Sequence, residues 1–554
     1  MAMTRLTRPL DQLAARYDAV IVGSGYGGAV SASRLARAGL SVCVLERGRE
    51  ILTGEFPARF PQMAKEMQLT GAKLRTGSDT ALYDVRLGED MHVLVGCGVG
   101  GGSLVNAGVA LRPDPRVLAD VCWPEEVRRD GLLAEGYARA GRWLRPARHA
   151  AGAEMWKFRA LEISGQRLGS PPMVPPVVVS FEAQTNAAGI AQPACTLCGD
   201  CCAGCNVGAK NTLALTYLPD AAAHGAAIFA QAKVRALSRR DGEWEIALVG
   251  HRDVHAGIVI LAAGTLGSSE ILLRSRELGL ALSDTLGEGF SGNGDIIAFG
   301  LGARERIHAI GVGHPRRFDG PPVGAVVSGQ IEIVDEAVLE NGLVLQEGVL
   351  PSALAPMLPI MFLPGGRLLG ALESLIKGVY EGPLAHLQTF FAVSHDSAGG
   401  RLTLTDDRLS LSWPGVADEP IFRRLDAALH DAVDAVGGRY IKSPLAGTAV
   451  GSKPATAHPL GGVRMADDAS RGAVDHAARV FSGRQGGAVH PGLYVIDGSI
   501  IPRSLGVNPL LTITALAERA LILMARDRNL AFGDAARAAD PALQGLIPGA
   551  DACP

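Results

Sequence analysis

His458 stands in the turn His458-Pro-Leu-Gly-Gly462, and Asn508 opens the run Asn508-Pro-Leu-Leu-Thr-Ile-Thr514. A histidine in a Pro- and Gly-rich turn is held rigidly beside a site rather than packed in a core. Its pKa range suits a general base at neutral pH. Asn508 followed by Pro509 predicts a helix start, with Asn508 at the cap and Pro509 in the first turn. Glu347 is the one carboxylate of the apolar run Gly342-Leu-Val-Leu-Gln-Glu-Gly-Val-Leu-Pro351. Burying it costs several kcal/mol unless its pKa rises or it finds a partner. It is therefore either an exposed acid on an edge strand or a group with a chemical role. Glu340 competes for that role. The remaining histidines, among them His251, His255, His308 and His430, read as surface or satisfied-core residues.

The densest chemistry is a cysteine run, Cys195-Thr-Leu-Cys-Gly-Asp-Cys-Cys-Ala-Gly-Cys205. Cys195, Cys198, Cys201 and Cys205 follow C-x2-C-x2-C-x3-C, a bacterial ferredoxin spacing, with Asn206 where proline is common. This spacing suits an iron–sulfur cluster. Zinc usually separates two C-x2-C pairs by a longer spacer, and free or disulfide-paired thiols stay open as a third reading. Cys202 is an extra, and Cys43, Cys97, Cys122 and Cys553 are scattered, unlike a disulfide framework.

These groups need a scaffold, and the glycines indicate it. The run Tyr17–Val22 predicts a strand, followed by Gly23-Ser-Gly-Tyr-Gly-Gly28, a helical stretch to Ala38, and a strand Ser41–Leu45 ending in Glu46. Strand, glycine turn, helix, strand and acid in this order predict a dinucleotide-binding unit. Gly23 suits the tight turn, Gly25 the approach of a pyrophosphate and Gly28 helix–strand packing. Glu46 would take a ribose hydroxyl. A second cluster, Gly96, Gly98, Gly100, Gly101 and Gly102, precedes Ser103 and Asn106. So many glycines fit neither helix nor strand interior; they predict a backbone surface against a flat ring, with Ser103 and Asn106 as hydrogen-bonding groups.

Further α/β blocks follow. Val234 lies on a predicted strand, Gly257–Thr265 on another, with a helix from Leu266, and Leu493–Ser499 reads as a strand closing on Asp497. Residues 300 to 450 instead show alternating runs, Gln330–Val334, Arg401–Thr405 and Leu409–Trp413, as in an antiparallel sheet. The expected class is mixed α/β, with a Rossmann-like nucleotide domain in discontinuous segments and an inserted substrate domain centred on an antiparallel sheet. The expected boundaries are 17–120, 205–300 and 455–530 for the nucleotide domain, 121–204 for a cap segment with the cysteines, and 301–454 for the substrate domain, with 531–554 a tail.

Composition narrows the class. Hydrophobic residues make up 47 %, aromatics 5 %, and 70 of 554 residues are glycine. This excludes disorder, and without a Gly-X-Y period it excludes collagen. A net charge of −3 gives no global field toward nucleic acid. The uncharged stretches His92–Leu111 and Gly348–Gly366 are too rich in glycine or proline for a spanning helix. Met1–Tyr17 lacks the apolar core of a secretory signal, so a cytoplasmic location is expected.

In order, the chain resembles the glucose–methanol–choline flavoproteins, most closely their bacterial cholesterol-oxidase branch. The resemblance rests on GSGYGG with Glu46, Gly98–Gly108 (GVGGGSLVNAG), Lys210-Asn-Thr-Leu with Thr216-Tyr-Leu-Pro219, and Leu261-Ala-Ala-Gly-Thr-Leu-Gly267. It continues through Gly292-Asn-Gly294 and His458-Pro-Leu-Gly-Gly462 to Asp497-Gly-Ser and Gly506-Val-Asn-Pro-Leu. It spans about residues 17 to 530. It implies FAD between two domains, dissociable rather than linked at His92. Val234, Gly264, Asp497, Gly498, Asn508, Pro509 and Leu510 would join the glycines in holding it. His458 would bind or deprotonate an alcohol and Asn508 would bond substrate or flavin. Glu347 would shift a double bond after oxidation. The apolar segments Leu350–Leu363 and Leu368–Leu375 favour a sterol-like or long-chain alcohol. The acceptor would be oxygen, or a protein or quinone if the cysteines hold a cluster. A flavin-containing lyase of the same family is the non-redox alternative.

Overall fold

In the computed structural model, residues 4–71, 74–362, 377–442, 453–533, 535–537 and 546 are described. The β-branched run before the first glycine turn forms the strand Arg16–Val22, whose last four residues are buried. It pairs in parallel with Val42–Leu45 on one side and Val254–Leu261 on the other. Ala227–Phe229 extends the sheet beyond Val42–Leu45, and Val489–Val495 extends it beside Val254–Leu261, both in parallel. A parallel sheet is covered on both faces, which is why these strands are nearly continuous in apolar residues. Three distant stretches of chain thus supply one sheet. The antiparallel hairpin Val234–Arg240 and Glu243–Leu248 joins its edge. Helices Tyr26–Arg37, Gly264–Glu277 and Leu510–Arg528 belong to the same large core.

Inserted into this frame is an antiparallel sheet of five strands. Its spatial order is Gln330–Ile333, Leu343–Gly348, Gln388–Ser394, Ile296–Leu301 and Arg439–Ile441. Helices Trp156–Leu168 and Pro420–Ala435 pack on it around a second core. The runs Gly400–Thr405 and Arg408–Ser412 form a hairpin in a separate sheet with Glu288–Phe290. The mixed architecture read from the sequence is therefore present, though the alternating runs divide between two sheets.

A fourth sheet was not legible beforehand. Ala455–Thr456 pairs in parallel with His92–Val93. That pairing sets the segment entering the His458 turn beside the strand that leads into the second glycine cluster. The apolar run after Gly342 divides into the strand Leu343–Gly348, a 3-10 turn Ser352–Met357 and a short helix Leu358–Met361. Its expected continuation, with Leu363, Leu368–Leu375 and Cys553 of the tail, lies outside the described residues. Among the described residues no helix is long and apolar enough to cross a membrane.

Candidate active site

The turn containing His458 is gripped by one carboxylate. Asp295 Oδ2 accepts hydrogen bonds from the backbone N–H groups of Ala457 (2.9 Å) and His458 (3.1 Å) and from Thr456 Oγ1 (2.8 Å). Its Oδ1 lies 2.9 Å from His458 Nδ1. An ionised carboxylate only accepts, so the ring proton sits on Nδ1 and Nε2 presents a lone pair. Nε2 lies 3.4 Å from Asn508 Nδ2, a long contact, so the two nitrogens sit side by side where one oxygen could approach both. The imidazole is 20 % exposed and Asp295 6 %, so the dyad is shielded but reachable.

Asn508 departs from the helix-cap reading. The helix begins at Leu510, Pro509 is its N-cap residue and no side chain caps it. The Asn508 amide turns the other way: its Oδ1 accepts from Gln346 Nε2 at 2.7 Å. Asn293 also fixes this end of the site. Its Oδ1 accepts from Leu505 N (2.8 Å) and Gly506 N (3.1 Å), and its Nδ2 donates to Val507 O (2.9 Å). One turn, Gly292–Asp295, therefore holds both functional loops. The buried Asp396 anchors that turn through Ser291 Oγ and Gly294 N, and burial pushes its carboxyl up to about 6.

Glu347 is not brought to this pair. Successive residues of a strand face opposite sides, and Glu347 points away from Asn508 when Gln346 points toward it. Its Oε1 lies 2.9 Å from Lys157 Nζ and accepts from Ser328 N at 2.7 Å. Burial pushes the Glu347 carboxyl up and the Lys157 ammonium down, and their pairing opposes both shifts. Glu340 lies in the turn Leu339–Asn341 and binds Arg503.

The glycines and polar groups expected to hold a dinucleotide lie close together. Gly23 has φ +97°, and a Cβ there would lie 2.3 Å from Ala262 O; a Cβ on Gly28 would lie 2.1 Å from Gly23 O. Gly25 is the N-cap of Tyr26–Arg37 and no side chain caps that helix, which leaves its first N–H groups for a phosphate. The second glycine cluster packs on this turn, since a Cβ on Gly101 would meet Gly25 Cα at 2.8 Å. Nothing lies within 4 Å of a Cβ built on Gly102. Gly98 O and Gly100 N both bond Ser24 Oγ, and Ser24 Oγ and N donate to Glu46 Oε2. Ala232 N donates to Glu46 O, so the segment leading to Val234 runs beside the acid.

Ser103 is used structurally, donating to Gly100 O in its own loop and accepting from Leu213 N of a distant segment. Asn106 Nδ2 donates to Tyr26 OH at 2.7 Å, while its buried Oδ1 has no partner. Asp497 cross-links Gly264 N and Ser268 Oγ to Ser499 beside Gly498. The orphaned Asn106 oxygen, the open helix start and the side-chain-free turn fit a dinucleotide with a flat ring.

Cys195, Cys198, Cys201 and Cys205 line one cavity with Asp200 and Lys210. Leu197 N donates to Cys195 Sγ at 3.4 Å. Burial pushes the Cys198 thiol up to about 12 and raises Cys195 and Cys201 as well, reinforced by the neighbouring sulfurs. Among the described residues no three His, Cys, Asp or Glu side chains converge as ligands of a metal ion. Lys210 is buried, and its Nζ donates to Asn106 O, Cys201 O and Leu104 O. It thereby ties the thiol cavity to the loop carrying Asn106.

Sequence reasoning missed Asp295, Asn293 and Gln346. The only available signal was that Asn293 and Asp295 sit in or directly after the Gly292-Asn-Gly294 motif; Gln346 gave none.

The GMC oxidoreductase N-terminal family model matches residues 17–291 and the C-terminal one residues 427–517. A cholesterol oxidase of Mycobacterium tuberculosis is 27 % identical over 92 % of this chain and 91 % of its own. One of Acinetobacter baumannii is 28 % identical over 91 % and 94 %. A fungal aryl-alcohol oxidase structure superposes with a TM-score of 0.58 at 15 % identity, covering 93 % of this chain and 100 % of its own. The chain belongs to the GMC oxidoreductase family, FAD-dependent enzymes that oxidise CH–OH groups.

Proposed function

We propose that the protein oxidises an apolar alcohol of the sterol or long-chain class, with His458 as the base and Asn508 as the hydroxyl-binding group. The observation that carries this reading is the ordered Asp295–His458–Asn508 set. Asp295 holds the proton on Nδ1, so Nε2 is free to take the hydroxyl proton. Asn508 Nδ2 donates toward the same point and would bind the alcohol oxygen as negative charge develops there. As the imidazole becomes a cation, Asp295 stabilises it at close range without accepting its proton. FAD, held by the glycine turn and the Gly98–Gly102 loop, supplies hydride acceptance when bound.

The cholesterol oxidases among the relatives support a sterol-like substrate. Isomerisation is left out of the proposal, because Glu347 is committed to Lys157 on the opposite face of its strand. Anaerobic addition of an alcohol panel to the purified holoenzyme tests the reading. An apolar alcohol should bleach the flavin absorbance, with polar sugars inert. Unchanged absorbance with every alcohol would favour the lyase alternative.

A second reading concerns the acceptor, for which oxygen remains the simpler candidate. Four cysteines around one cavity support a thiolate-bound iron–sulfur cluster, whose ligands stand farther apart than those of one ion. The buried Lys210 ammonium would offset the negative charge of such a group. A cluster there would pass electrons to a protein or quinone.

A further inference from the structure

The orientation of the Asn508 amide decides whether it presents a donor or an acceptor to the reacting hydroxyl. That orientation is set from outside the site. Gln330 and Gln346 are directly opposite in register on neighbouring strands, and Glu332 follows Gln330 on the same face. Gln330 Nε2 donates to Glu332 Oε1. Gln346 Nε2 is 3.2 Å from Gln330 Oε1 and 2.7 Å from Asn508 Oδ1. Asn508 Nδ2 then faces His458 Nε2, whose other nitrogen faces Asp295.

The chain runs between two carboxylates, and carboxylates only accept. From Glu332, the Gln330 nitrogen must face the acid, its oxygen must face Gln346, and the Gln346 nitrogen must face Asn508. From Asp295, Nε2 must be an acceptor, so the Asn508 nitrogen must face it. Both ends demand the same Asn508 orientation. Gln346 and Gln330 are fully buried, and Gln346 Oε1 is left without a partner. An unpaired buried acceptor costs about 1–3 kcal/mol, so the other links of the chain hold this orientation against a flip.

We propose that Glu332, Gln330 and Gln346 form a polarity relay that fixes Asn508 with its Nδ2 toward His458 and the substrate hydroxyl. Gln346 and Gln330 are positioning residues in this scheme; neither touches the reacting atoms. The inference rests on His458 and Asn508 acting on an alcohol as proposed above.

Gln346→Glu tests it with almost no change of volume. Protonated, the new carboxyl has one proton and can still donate it to Asn508 Oδ1, giving up the longer link to Gln330 Oε1. Ionised, it accepts and turns the Asn508 amide over. The charged groups around it are Glu332 through Gln330, the His458–Asp295 dyad through Asn508, and the Lys157–Glu347 pair across the strand. The ratio of flavin-normalised kcat, variant to wild type, should approach one at low pH and fall by about tenfold or more as pH rises. Gln346→Met should lower kcat by about tenfold at every pH, with KM changed far less. A pH-independent ratio for Gln346→Glu overturns the relay. If that variant does not retain flavin, Gln346→Met decides, and a kcat within about twofold of wild type overturns it. Should His458→Ala turn over like wild type, the underlying reading fails instead.

Discussion

His458 Nδ1 lies 2.9 Å from Asp295 Oδ1, and Asp295 Oδ2 accepts from the backbone N–H of the same histidine. One carboxylate thus sets both the tautomer of the ring and the position of the turn that carries it. Asp295→Asn should keep the flavin but lower the rate of anaerobic flavin reduction by about 10²-fold or more, because the amide does not enforce the Nδ1–H tautomer. Stopped-flow reduction with a bleaching alcohol measures this directly. A rate near wild type would remove Asp295 from the mechanism.

His458→Ala is expected to abolish turnover while flavin stays bound, since the dinucleotide residues lie on other segments. The flavin-to-protein absorbance ratio after gel filtration separates the two effects. Loss of flavin would count against a role in proton transfer.

Lys157 and Glu347 form a buried ion pair, each side chain 1 % exposed. Removing one partner strands the other in the core, so Lys157→Met should destabilise the fold by about 3–5 kcal/mol. The double variant Lys157→Met/Glu347→Leu should recover most of that loss, as read by denaturant unfolding. A double-variant loss equal to the sum of the two single-variant losses would show that the pair is not coupled.

His395 is buried, and burial, aided by the Arg503 guanidinium, pushes its imidazole down to about 4. The unfolded chain takes up this proton near the ordinary histidine value of about 6.5. Between those values the unfolded state binds more protons, so this residue's contribution to stability is full above that range and is lost as pH falls through it. His395→Gln should flatten the stability–pH slope in that window by up to about 1.4 kcal/mol per pH unit. Chemical denaturation at several pH values between these limits checks the slope. An unchanged slope would mean the imidazole is protonated in the fold.

If the thiol cavity holds a cluster, protein purified without air shows a broad shoulder beyond the flavin bands, with iron and sulfide that Cys201→Ser lacks. A flavin-only spectrum with no iron would return the cysteines to plain thiols and leave oxygen as the acceptor.

The dinucleotide unit was legible because its constraints are local. Gly28 is required by the Gly23 carbonyl five residues earlier, Gly23 takes φ +97° in its own turn, and the strands beside them are buried on both faces and spell out continuous apolar runs. His458 and Asn508 were legible as candidates because each sits in a distinctive turn. Their partners were not. Asp295 reaches His458 across 163 residues and Gln346 reaches Asn508 across 162, separations that leave no periodicity in the chain.

Glu347 shows the same limit from the other side. The sequence marks a carboxylate in an apolar strand but carries no register, and a strand's two faces alternate residue by residue. Only the pairing of Leu343–Gly348 with its neighbours turns Gln346 toward Asn508 and Glu347 toward Lys157. By itself the sequence determined a dinucleotide-binding unit, the mixed architecture and the two candidate residues, since each is marked within a short segment. Tertiary structure decided which acid faces the histidine and which faces a lysine, because those contacts are set by how distant strands align.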